Sequence, residues 1–341
     1  MVAGEVFDEK IAALIDGEEI IDLLSFAGVD AVLLTPGWLK FGVERIKQLV
    51  DRAQFRVLGY NITDTFDLPV AHPWMIKKLG GIDFAIGGLF TDSTSSFLNL
   101  KGLKFTPPSY AGQKLLILLR GKGDLTALMG SDFDRFSNFD LIFNPQAGQT
   151  VRYDIAIVNN KIQDIKEKVV SWEGIEPEPK VARLVDSLRL VVDSISALPV
   201  VETRVKIPPR VLTRAIVEGY LALREADCFI YDSSDFVRDT ILPGKITRLG
   251  LIRALTEPGR LVLVNFEGQE INRLLKGDKR LVLETRTGIR GRRIMARKIY
   301  CVAMTPRTLT STPELRTKRF EFSARQLWEY AADILQAQGR R

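Results

Sequence analysis

GVDAVLLTPGWLKFG (28–42) and FRVLGYNITD (55–64) are the stretches that decide how this chain folds. In the first, Ala31-Val32-Leu33-Leu34 is an unbroken apolar run stopped by Pro36-Gly37, the pattern of a strand buried on both faces. Ahead of it, Glu18–Phe26 spaces Ile20, Ile21, Leu23, Leu24 and Phe26 as on a short amphipathic helix, and Gly28 supplies the stop. Behind it, residues 43–53 have helical spacing, and residues 55–60 form the next strand. Helix and strand in alternation predict a layered α/β domain.

The same alternation continues outward. Residues 84–89, 115–119 and 141–143 are apolar runs that read as further buried strands, and residues 151–170 read as a β-hairpin turning at Asn159-Asn160. SWEGIEPEP (171–179) is acidic and proline-rich, as a linker would be. Val181, Leu184, Val185, Leu188, Val191, Val192 and Ile195 then follow helical spacing. A second α+β unit is expected from Val200, with a helix over 211–224, strands over 228–231 and 261–264, and a helix over 270–275. The predicted organisation is a first domain over 1–170, a linker and bridging helix over 171–198, and a second domain over 199–341.

Composition narrows the chemistry. The chain has 341 residues, 46% hydrophobic and 26% charged, which suits two ordinary globular domains. No apolar run approaches the ~20 residues of a membrane span. The first residues lack both a basic and an apolar signal region, so the expectation is a cytoplasmic protein. Cys228 and Cys301 sit in apolar strand-like runs without metal-ligand spacing and read as buried thiols. There is a single histidine, His72, between Pro69 and Trp74 in a loop that leads into a strand. One imidazole cannot serve a nucleophilic triad and a metal cluster together, and a lone loop histidine reads as a packing or solvent residue.

Motif searches exclude more than they find. No phosphate loop, dinucleotide fingerprint, HExxH, CxxC pair, EF-hand or GxSxG is present. The densest acidic group, Asp132, Asp134 and Asp140, reads as a capped turn, although a carboxylate Mg²⁺ site remains open. The net charge of +6 is concentrated between Arg273 and Lys298, where ten Lys/Arg face only Asp278 and Glu284. This segment reads as a solvated hairpin, residues 281–283 returning as 299–302. Contact with a polyanion through Arg273, Arg290, Arg292 and Arg293 is the alternative.

Taken in order, six segments resemble the 5′-nucleotidase family of two-domain metallophosphatases. They are residues 28–42, 55–64, FDLIFNPQAGQ (139–149), EADCFIYDSSDFVRDTILPGKIT (225–247), LVLVNFEGQEINRLL (261–275) and IYCVAMT (299–305). The resemblance implies a metallophosphatase-like first domain, a linker helix and a 5′-nucleotidase-like α+β second domain. It also implies where the chemistry should be, and there the residues differ. Pro36, Gly37 and Trp38 stand where the family carries Asn-His-Glu. Arg120-Gly121 replace its Ser-His, and Gln146 and Gly148 fall where Gly-His-x-His supplies two imidazoles. The strands carrying Asp-x-His and Gly-Asp are expected to be missing, because the match begins just after them.

A di-metal phosphatase works by polarising the phosphate and ionising a bound water, so the loss of these positions predicts no metal, no cofactor and no catalytic residue. In the second domain, Asp232, Asp235, Phe236 and Arg238 occupy the family's glycine-rich substrate loop. The two carboxylates disfavour a nucleotide there. The expected function is that of an inactive, 5′-nucleotidase-like binding or assembly component. The alternative is a re-purposed phosphoesterase using carboxylates such as Asp132, Asp134, Asp232 and Asp235. A shortened first sheet is expected to leave an apolar face near Ala31–Leu34, to be covered by a second copy or a protein partner.

Overall fold

A computed structural model of the chain describes residues 6–7, 17–90, 99–130, 138–143, 151–158, 161–169, 176, 178–232, 236–286, 294–315 and 318–339. They divide into two compact units, one made chiefly of residues 17–90 and 102–187, the other of 99–101 and the residues from Leu188 onward.

The first unit runs α1 (Glu18–Phe26), β1 (Ala31–Leu33), α2 (Pro36–Leu39), α3 (Val43–Arg52), β2 (Arg56–Leu58), β3 (Ile62–Asp64), β4 (Trp74–Leu79), β5 (Ile82–Gly88), β6 (Leu103–Phe105), α4 (Pro108–Leu119), β7 (Leu125–Met129) and β8 (Leu141–Phe143), then β9 (Val151–Val158) and β10 (Lys161–Val169). The two deciding stretches become β1 and β2, which pair in parallel with Val32 opposite Val57. Strands β5, β7 and β8 are also parallel, with β4 antiparallel on the outer edge of β5. The hairpin β9–β10 pairs Lys161 with Val158, as the sequence predicts, and its turn lies outside the described residues. Ala31, Val32, Leu33 and Leu34 are all buried within the chain itself. The expected uncovered apolar face is therefore absent at this place.

One strand expectation is overturned. Residues 115–119 close the helix α4 instead of forming a strand. Ala111, Gly112, Leu115, Leu116 and Leu119 are buried, while Ile117 and Leu118 face outward. That is a helical period, which a five-residue apolar run cannot reveal by itself. Gly87 of β5 makes room for this helix, since a Cβ there would lie 2.6 Å from the Leu115 side chain. Gly87→Ala is expected to destabilise the protein by about 1–2 kcal/mol through overpacking. A chemical-denaturation midpoint equal to that of the parent would rule this out.

Helix α5 spans Pro179–Ala197. The second unit continues with β11 (Pro199–Thr203), α6 (Pro209–Ala222), β12 (Cys228–Asp232), β13 (Gly244–Thr247), α7 (Arg248–Ala254), β14 (Arg260–Glu267), α8 (Gly268–Gly277), β15 (Leu281–Thr285), β16 (Ile299–Met304), α9 (Pro306–Ser311), a 3₁₀ turn (Pro313–Leu315), β17 (Phe320–Gln326) and α10 (Leu327–Gly339). Its main sheet has the order β15-β12-β16-β14-β17. The predicted hairpin of 281–283 with 299–302 does not form, because β12 lies between β15 and β16 and pairs with both. Cys228, Phe229 and Ile230 are fully buried, and such a strand takes a central place in preference to a half-exposed one.

The core of this unit is aromatic. Tyr220 of α6 meets Tyr330 of α10 edge-on at 4.9 Å and Phe229 of β12 at 5.6 Å. Both tyrosine hydroxyls donate to one oxygen of Glu225, at 3.2 Å from Tyr220 and 2.7 Å from Tyr330. Burial first, and the Glu225 carboxylate after it, push both phenols well above their ordinary value. The tyrosines therefore stay protonated and act as donors.

Candidate functional site

Two places concentrate the residues that the sequence singles out. The first is the carboxyl end of β1 and β2. Leu34 and Thr35 leave β1, and Pro36 opens α2 at a position where a helix needs no N–H. Gly37 and Trp38 are buried, and the Trp38 ring stands edge-on to Phe7 at 4.9 Å. The Trp38 Nε1–H has no hydrogen-bond partner among the described residues. Between β2 and β3, Asn61 is buried and bonded at both ends of its amide. Its Nδ2 donates to the carbonyls of Phe90 and Thr106 at 2.9 and 3.1 Å, and its Oδ1 accepts from the Phe90 N–H at 2.7 Å.

An indole N–H donates only, and the Asn61 amide is engaged at both ends by backbone groups. Among the described residues, no three His, Cys, Asp or Glu side chains come together as a metal cluster would need. Arg120 and Gly121 form an exposed turn after α4, with Gly121 in the left-handed region at φ 78°. Asp140 is held by Thr126, whose N–H and hydroxyl both donate to its Oδ2 at 2.7 Å. Gln146, Gly148, Asp132 and Asp134 lie outside the described residues.

His72 is tied into the sheet by its backbone, donating to Val57 and accepting from Gly59. The Arg56 guanidinium lies 3.1 Å from Nε2, so that nitrogen accepts and the ring is neutral. Burial, and then Arg56, hold the imidazole below its ordinary 6.5. A lowered histidine pKa means that the unfolded chain binds the proton more readily, so this contribution is present above pH ~6.5 and fades as pH falls. Since it is the single histidine, one imidazole resonance should titrate by NMR with a midpoint below 6.5. A midpoint above 7 would refute the packing role. The thiols are equally unsuited to attack: burial pushes Cys228 up to about 11 and Cys301 upward.

The second place is in the second unit, where β12 and β16 form the parallel pair of the main sheet. Outside the carboxyl ends of these strands lies a pocket of about 280 Å³, lined by Asp232, Phe236, Arg280, Thr305, Arg307, Thr308 and Ser311. Such a position at strand ends is a common one for ligands. Asp232 closes β12, and Arg280 immediately precedes the neighbouring β15. Thr305 caps α9 after β16 by accepting from the Thr308 N–H at 3.2 Å, and the two threonine hydroxyls share a bond of 3.1 Å. Arg280 is steered by Asp278, donating from Nε at 3.1 Å and Nη2 at 2.8 Å, which holds that carboxyl down at about 2. The Arg307 backbone N–H reaches both oxygens of Glu257, at 3.0 and 2.9 Å.

Of the residues expected to bind a ligand, Asp232 and Phe236 line this pocket. Arg238 is exposed, does not line it, and anchors its backbone N–H on Ala254. Asp235 lies outside the described residues, as do Arg290, Arg292 and Arg293; Arg273 is an exposed residue of α8. Arg280, Thr305, Arg307 and Thr308 are absent from the sequence-based set. Thr305-Pro306 after an apolar strand was the available signal, because a threonine cap followed by proline marks a helix start at a strand end.

No protein-family model matches the sequence, and no curated protein is similar to it by sequence. Solved structures do match. A Staphylococcus aureus protein assigned as a 5′-nucleotidase superposes with a TM-score of 0.63 at 10% identity, covering 98% of this chain and 86% of that one. The NAD nucleotidase of Haemophilus influenzae gives 0.55 at 13% identity, covering 96% and 85%. The SoxB sulfate thiohydrolase of Thermus thermophilus gives 0.53 at 17% identity, covering 99% and 76%. At these identities the likeness is one of fold.

Proposed function

We propose that this chain, which has the fold of the 5′-nucleotidases, is a binding protein that has given up hydrolysis, with its ligand seat in the second unit. The observation that carries this reading is the state of Trp38. It stands where the family resemblance expects the glutamate of Asn-His-Glu, and its side chain is buried against Phe7. A residue committed to the core cannot also meet a phosphate. Its neighbours Pro36 and Gly37 carry no donor or ligand atom in their side chains. Asp64, a buried acid of the first unit, is occupied: it accepts from Lys47 and from the N–H groups of Phe66 and Leu68.

Hydrolysis in this fold class needs a polarised phosphorus and an activated water, and no described side chain at these strand ends supplies either. The second unit has a formed pocket with charged and hydroxyl groups converging on it. No helix among the described residues is long and apolar enough to cross a membrane.

The test is hydrolysis of AMP, NAD and bis(p-nitrophenyl) phosphate by the full chain with added Mn²⁺ or Zn²⁺. The expected rate is that of buffer with metal alone. A metal-dependent rate that copurifies with the chain would replace this reading by that of a re-purposed phosphoesterase.

A further inference from the structure

We infer that the second unit binds a membrane surface rich in anionic lipid, through two short neighbouring loops that carry Val205 and Leu242. Strands β11 and β13 pair antiparallel with Thr203 opposite Gly244, so residues 204–206 and 242–243 leave the sheet at the same end. Beyond these loops the two segments meet again, where Ile207 and Ile241 exchange backbone hydrogen bonds at 2.9 and 3.0 Å. Both loops are thus pinned at either end, and what they carry is held outward. Val205 is 65% exposed and Leu242 67% exposed, with Pro243 following in the chain. Val211, in the first turn of α6, adds a third exposed aliphatic side chain at 56%. The backbone at the first tip is already satisfied: the Thr203 hydroxyl accepts from the Val205 N–H at 3.3 Å and donates to the Val205 carbonyl at 3.0 Å. A backbone with its polar groups bonded internally can approach lipid at little cost.

Positive charge surrounds these side chains. Across residues 202–211 and 239–245, Arg204, Lys206, Arg210 and Lys245 are all exposed, against the carboxylates of Glu202 and Asp239. Glu202 stands directly opposite Lys245 in the strand register, which matches that one lysine. Arg204, Lys206 and Arg210 enter no ion pair among the described residues. Exposed aliphatic groups gain by leaving water, and lysine and arginine gain by nearing anionic headgroups, so both act in the same direction on one surface. Neither segment contains an aromatic residue. A nucleic acid would need rings to stack on, and protein interfaces draw their anchors largely from tyrosine and tryptophan. Aliphatic tips with a basic rim suit lipid better than either. The contact lies on the bilayer without crossing it.

The experiment is co-sedimentation of the full chain with vesicles of phosphatidylcholine alone, and with vesicles in which about one-third of the lipid is phosphatidylserine. Binding to the anionic vesicles is expected at ~0.05 M salt and should be largely lost at ~0.5 M, while the neutral vesicles leave the chain in solution. Val205→Ser combined with Leu242→Ser should weaken binding at least about fivefold, and Lys206→Glu combined with Arg210→Glu at least about tenfold. All four side chains are exposed, so both variants should melt like the parent. Ile117→Ser removes a side chain of the first unit that is 69% exposed, and it should bind as the parent does. The proposal is overturned if the parent ignores anionic vesicles at low salt, if neutral vesicles bind it equally, or if the Val205 and Leu242 variant binds normally. Polyglutamate that binds the parent as tightly as the vesicles do, with Val205 and Leu242 dispensable, would overturn it in favour of an acidic protein partner. None of these outcomes bears on hydrolysis or on the pocket, so this inference and the non-hydrolytic reading fail separately.

Discussion

Trp38→Ala should cost about 3–5 kcal/mol of unfolding free energy, the largest loss expected from any single truncation in the first unit. The indole is fully buried among Phe7, Phe41 and the start of α2, with Phe7 edge-on to Trp38 and to Phe41, each at 4.9 Å. Removing it opens a cavity that a short helix beginning with proline cannot collapse into. Trp38→Phe separates packing from polarity. It keeps an aromatic ring and deletes the Nε1–H that has no partner among the described residues, so a loss well below that of alanine is expected. Urea denaturation of the three proteins measures both. If alanine and phenylalanine cost the same small amount, Trp38 is not a core residue, and the strand-end crevice is open to chemistry after all.

Glu225→Ala should cost about 2–3 kcal/mol, and the loss should be felt through two tyrosines rather than one. Tyr220 and Tyr330 bury their rings and direct both hydroxyls to the same carboxylate oxygen, so removing it strands two donors. Glu225→Gln keeps an accepting oxygen and should lose less. In a background carrying Tyr220→Phe and Tyr330→Phe, Glu225→Ala should cost little more, because nothing remains to be stranded. A cycle without such coupling would show that the carboxylate acts independently of the phenols.

Much of the scaffold was legible in the sequence. The run Ala31–Leu34 and the spacing of residues 43–53 each report a local fact, burial on both faces or on one stripe, and local facts survive folding. The run 115–119 misled because five apolar residues are too few to tell a helical period from a strand. The hairpin read from 281–283 and 299–302 failed for a different reason. Adjacency in sequence said nothing of β12, a strand from fifty residues upstream that displaces one partner from the other.

The candidate site was less legible still. Asp232 and Phe236 fall within one quoted segment, but Arg280, Thr305 and Arg307 reach the same pocket from two other strand ends, the start of β15 and the end of β16. Their convergence is a property of the sheet order. For the first unit the sequence offers residue identities alone, at positions 36–38. Proline, glycine and tryptophan cannot act as asparagine, histidine and glutamate, wherever the fold puts them.

The central claim is that the first unit keeps the fold without the metal chemistry. It is tested most directly by metal content: the purified chain is incubated with Mn²⁺ or Zn²⁺, desalted, and measured by mass spectrometry against protein concentration. The account predicts far less than one metal ion per chain. Stoichiometric metal retained through desalting would contradict it, and would mean that a centre has been assembled from other side chains.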